Sequence, residues 1–120
     1  MSVEIISGKE MTGKSTKLFN KVAEWTKEDK VLLFWLDEGV SSLECRFGKM
    51  GKKRRNKISI FTYANKIGDI DLIIRDSKAV SNITKVAIDS LMMIDGENII
   101  DRLEKLAVEL NLKIVITKSM

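Results

Sequence analysis

The chain has 120 residues, 44% hydrophobic and 32% charged, with seven glycines and no proline; that is enough for one core, too short for two ordinary domains, and unlike a disordered or fibrous composition. A single cysteine, Cys45, and the lack of histidine exclude an intramolecular disulfide and the usual zinc clusters, predict a reduced, cytoplasmic setting, and accompany no apolar run near the roughly 18 residues that would span a bilayer. The net charge is +4, and much of the excess sits in residues 49–57, KMGKKRRNK, which suit either a phosphate-binding surface or a solvated loop.

Residues 3–6 have the apolar, β-branched character of a buried parallel strand. Residues 8–15 follow as GKEMTGKS, which fits G-x-x-x-x-G-K-[ST] after a strand and at the start of a helix. Gly8 and Gly13 allow a tight turn in which the backbone N–H groups of Lys9, Glu10, Met11, Thr12 and their neighbours surround a phosphate. Lys14 would meet the β- and γ-phosphates, Ser15 would coordinate Mg²⁺, and Thr16 could donate to the α-phosphate. A glycine turn that merely caps a helix is the plainer alternative, but strand, loop and helix together favour the phosphate cradle.

Leu18, Phe19, Val22 and Ala23 form the apolar stripe of the helix after that loop. A second strand is predicted at residues 31–36, and Asp37 and Glu38 stand at its end, where one of them could polarise a water in line with a γ-phosphate. The longer reach of Glu38 makes it the preferred base, although adjacent acids are also common at a helix N-terminus. Weaker helical stripes run through Val40, Leu43 and Phe47 and through Ile67, Ile70 and Ile74. Within the basic stretch, Lys49, Lys52, Lys53, Arg54, Arg55 and Lys57 are the candidate nucleic-acid contacts, and single-stranded DNA is the candidate partner. A third strand is predicted at residues 58–63, and its alternation suffices to explain Phe61 and Tyr63.

The fourth strand, at residues 85–88, is an apolar approach to Asp89, a carboxylate at the strand end where open α/β sheets bind their ligands. Asp89 would hold a Mg²⁺-bound water or the Ser15 hydroxyl. Ile99, Ile100, Leu103, Leu106, Ala107 and Leu110 form a regular helical stripe before a fifth strand at residues 113–117. Strands alternating with helices predict a single α/β domain over residues 1–120, a three-layer sandwich with a mainly parallel five-stranded sheet. Packing roles are expected for Trp25, Trp35, Met92 and Met93, and a buried position for Cys45.

The order of these segments resembles the RecA-like core, and more closely the ATPase domain of hexameric replicative DNA helicases of the bacterial and phage type. The residues that carry the resemblance are GKEMTGKS, FWLDEG at residues 34–39, VSSLECRF, AIDSLMMI at residues 87–94 and LEKLAVELNLKIV at residues 103–115. It implies a P-loop NTPase with strand order 3-2-4-5-1, a Walker B role for Asp89, and Lys14, Ser15, Asp89 and the Asp37/Glu38 pair at one edge of the sheet. It also implies a core truncated at its C-terminus, without the arginine finger, so slow hydrolysis of ATP with Mg²⁺ is expected in phage or mobile-element replication or recombination. Lack of such a finger is expected to cost on the order of 10³ or more in turnover. The first strand would then be a sheet edge, inviting a homo-oligomer or a replicative helicase as partner. Two other functions remain open: a non-catalytic helicase mimic that regulates a host helicase, and a small nucleoside kinase, which the lone Cys45 disfavours because it cannot build the zinc site of thymidine kinase-like enzymes.

Overall fold

The apolar runs of the strands alternate in parity, and that alternation sorts the core into two halves. In β2 (Val31–Trp35), Leu32 and Phe34 point to one face while Val31, Leu33 and Trp35 point to the other, all of them buried. The computed structural model describes residues 3–9 and 13–119; the predicted loop positions Glu10, Met11 and Thr12 lie outside them. Five strands, β1 (Val3–Gly8), β2, β3 (Ile58–Phe61), β4 (Lys85–Asp89) and β5 (Lys113–Ser119), form one parallel sheet in the order β1-β5-β4-β2-β3.

One face of the sheet packs against α1 (Lys14–Trp25) and α2 (Val40–Phe47), through Leu18, Phe19, Val22, Leu43 and Phe47. The opposite face is covered by Ile67, Ile70 and Ile74 of α4 (Ile67–Ser81) and by Leu103, Leu106 and Ala107 of α5 (Ile99–Leu110). The result is the expected α/β sandwich of three layers. A single turn of helix, α3 (Lys52–Arg55), lies within the basic stretch. Among the described residues, no helix is long and apolar enough to cross a membrane.

Several ends differ from the sequence reading. Strands β1, β4 and β5 run farther toward their carboxyl ends, to Gly8, Asp89 and Ser119, because parallel pairing persists there: Gly8 is in register with Ser119 and Trp35 with Asp89. β2 stops before Leu36, whose N–H turns to the Asp89 carbonyl at 2.6 Å. β3 stops at Phe61, leaving Tyr63 beyond the strand and 78% exposed, so strand alternation does not account for that ring. Met92 and Met93, expected to pack, are exposed on a short 3₁₀ turn after β4, and Cys45 is exposed on α2 rather than buried. Trp35 is core, and β1 forms one edge of the sheet.

Candidate functional site

Helix α1 is preceded by Gly13, which takes the left-handed conformation (φ 81°, ψ 25°) that glycine adopts without steric cost. The Lys17 N–H bonds the Gly13 carbonyl at 2.9 Å, so the N–H groups of the first turn before it have no acceptor within the helix and face the end of the sheet. Lys14 curls back over the same turn, its Nζ donating to the carbonyls of Lys9 at 2.8 Å and Gly8 at 3.2 Å. An ammonium held by carbonyls at the mouth of a helix N-terminus is placed to meet an anion.

Strand parity explains the buried carboxylate. Ala87 faces α1, and Asp89, two residues on, shares that face. Its neighbour on β5 is Thr117, two residues beyond Val115, which pairs with Ala87. The Asp89 carboxylate is 1% exposed and accepts hydrogen bonds from Ser15 Oγ at 2.7 Å and Thr117 Oγ1 at 2.6 Å. Burial pushes its carboxyl above the usual carboxylate range; the two hydroxyl donors oppose that shift, and the charges of Asp37 and Glu38 add to it.

The two candidate bases differ in their surroundings. Glu38 accepts a hydrogen bond from Ser42 Oγ, and its Oε2 lies 3.6 Å from Arg46 Nη2, so its carboxylate is tied to both the first and the last turn of α2. Asp37 is exposed; its backbone N–H bonds the Asp89 carbonyl at 3.1 Å, and among the described residues its side chain has no hydrogen bond or ion pair. The more available carboxylate is therefore Asp37, against the preference for Glu38 drawn from reach alone.

Arg46 is the functional candidate that motif reading missed. It donates from Nη1 to Thr16 Oγ1 at 3.0 Å and lies over the rings of Trp35 and Phe19, at 5.6 and 6.0 Å. Its place three residues after Leu43, at the border of the α2 stripe, was the available signal. Among the described residues, its Nε and the Trp35 indole N–H are buried without hydrogen-bond partners.

Gly13, Lys14, Ser15, Thr16, Asp37, Glu38, Arg46 and Asp89 line one cleft of about 500 Å³, and Ser119 at the end of β5 closes it. The structure thus brings the described residues of the predicted loop, the strand-end acids and Asp89 together. The basic cluster is elsewhere: Lys49, Lys52, Lys53, Arg54, Arg55 and Lys57 do not line the cleft. Among the described residues, no three acid, cysteine or histidine side chains gather as a metal site. Neither a protein-family model nor a curated protein sequence matches the chain.

Proposed function

We propose that the chain binds a nucleoside triphosphate with Mg²⁺ in the cleft at the start of α1 and hydrolyses it slowly, as a RecA-like P-loop NTPase acting in DNA replication or recombination. The observation that carries this reading is the 2.7 Å hydrogen bond from Ser15 to Asp89, which puts a hydroxyl and a buried carboxylate beside a helix N-terminus. The sheet order supports it too, since read from β3 it is the order that the helicase resemblance implies.

The donor set suits Mg²⁺. The ion favours hard oxygen ligands, keeps several waters, and commonly takes only one or two protein ligands alongside phosphate oxygens. Ser15 Oγ and Asp89 are such a pair, and a carboxylate whose ionised form is disfavoured by burial gains from a cation nearby. When bound, Mg²⁺ would neutralise charge on the β- and γ-phosphates. Lys14 would exchange its carbonyl partners for phosphate oxygens, Gly13 and the first turn of α1 would supply N–H donors, and Asp37 would orient the attacking water. Arg46, drawn from Glu38 or Thr16, could meet phosphate charge at the same cleft.

A non-catalytic, regulatory role is the second reading, and the pairing of Glu38 with Ser42 and Arg46 favours it, because it withdraws one of the two candidate bases. Calorimetric titration of ATP with Mg²⁺, followed by phosphate release on the same sample, separates the two. Binding that Lys14→Ala weakens, with slow release, supports the NTPase; binding without release supports the regulator; and absence of binding overturns both.

A further inference from the structure

The six cations of segment 49–57 form a dense cluster with no acid among them. Lys21, Lys27, Arg46, Arg75, Lys85 and Lys113 are each in an ion pair. Among the described residues, Lys49, Lys52, Lys53, Arg54 and Arg55 are in none, and Lys57 reaches only the Lys27 carbonyl at 3.4 Å. No Asp or Glu occurs between Glu44 and Asp69. Take these six cations from the chain's 21 Lys and Arg, and its 17 acids outnumber those that remain. The basic character of the molecule therefore resides in this one surface.

The surface is also shaped. Helix α3 is anchored to α2 by Arg55, whose guanidinium lies 5.0 Å from the centre of the Phe47 ring. Between α1, α2 and α3 opens a cavity of about 350 Å³ with apolar walls from Phe19, Ala23 and Met50, cations from Arg46, Lys49 and Arg54, and the amide of Asn20. Among the described residues, no acid lines it, whereas three line the phosphate cleft. Apolar walls, a side-chain amide and a cationic rim are what a nucleobase and its attached phosphate require.

We infer that this surface binds an unpaired nucleic-acid strand, with phosphates on the lysines and arginines of segment 49–57 and a base inserted in the cavity beside Phe19 and Met50. A duplex supplies the phosphates but keeps its bases stacked inside, so the cavity selects the single strand. The inference stands on charge and shape at this surface and does not depend on hydrolysis in the neighbouring cleft.

The test is fluorescence anisotropy of a labelled oligothymidylate with the full chain, over about 50 to 200 mM salt. Binding should fall steeply with salt, and a duplex of equal length should bind about tenfold more weakly or worse. The double variant Lys52→Glu/Lys53→Glu, on the exposed face of α3, should lower affinity about tenfold or more and flatten the logarithmic salt slope by about 0.7 for each lost contact. Ala23→Leu, which fills the cavity from α1, should narrow the preference for single strand over duplex. Thermal melting of both variants checks that they fold. Lack of binding at about 50 mM salt, equal binding of the duplex, unchanged affinity in the double variant, or equal displacement by polyglutamate would overturn the inference. So would competition by ATP with Mg²⁺, since the cavity would then hold the mononucleotide's own base.

Discussion

Ser15, on the first turn of α1, and Asp89, at the end of β4, are 74 positions apart in sequence and joined by a 2.7 Å hydrogen bond. Two chain reversals bring them together: the turn from β1 into α1, and the parallel crossovers that set β4 beneath the start of that helix. Without a cation, the hydroxyl partly satisfies a carboxylate that burial makes costly to ionise.

Replacing that carboxylate should separate stability from function. A carboxyl whose folded pKa is raised above its unfolded value binds its proton more tightly in the folded state. Its contribution is therefore greatest at low pH and is lost as pH rises through the folded value. Asp89→Asn, which keeps the shape and can still bond Ser15 and Thr117, should melt higher than the parent at neutral pH, with the gap closing toward pH 4, near the unfolded carboxyl value. Melting curves across pH check this, and the same variant should lose Mg²⁺-dependent nucleotide binding. A variant that melts lower at neutral pH would refute the sign.

Lys14→Ala should weaken nucleotide binding by about ten- to a hundredfold, the usual range for a lost charge-assisted hydrogen bond. Its melting temperature should barely move, since among the described residues the Lys14 ammonium bonds only the carbonyls of Gly8 and Lys9. Calorimetry and thermal denaturation on one preparation read both quantities.

The two strand-end acids can be told apart by single-turnover phosphate release. Asp37→Asn should slow release by about 10² or more, the range for loss of a positioned base. Glu38→Gln should leave turnover within a few-fold, because its carboxylate serves Ser42 and Arg46. The reverse ranking would restore Glu38 as the base and require Arg46 to release it.

Gly13 and Gly96 both have positive φ, at 81° and 140°, yet alanine should be tolerated unequally. A Cβ at Gly13 meets nothing within 4 Å, so Gly13→Ala should cost only the backbone term of about 1–2 kcal/mol. A Cβ at Gly96 would come within 2.3 Å of Ile67 Cγ2 and adds overpacking of roughly 1–3 kcal/mol to a similar backbone cost. Denaturant unfolding of both variants should show Gly96→Ala as clearly the less stable.

The candidate loop before α1 could be picked out because its fixed positions are sequence neighbours, and a glycine with positive φ before a helix is a local requirement that Gly13 meets. Asp89 could be read for a related reason: β4 is a continuous apolar run, and the acid that ends it marks the carboxyl edge of the sheet. The layers followed from strand parity and helical stripes, which depend only on backbone geometry.

What the sequence by itself determined, then, was the alternation of elements, the glycine turn before α1 and the position of the strand-end acids, since each is set by residues within a few positions of one another. Only the tertiary structure decided that Glu38 is paired while Asp37 is not, that Arg46 reaches Thr16 thirty positions away, and that the basic turn borders a cavity. Those outcomes depend on how α2 packs against α1. Burial and pairing of charge across two helices come from contacts between distant segments, and no local pattern encodes them.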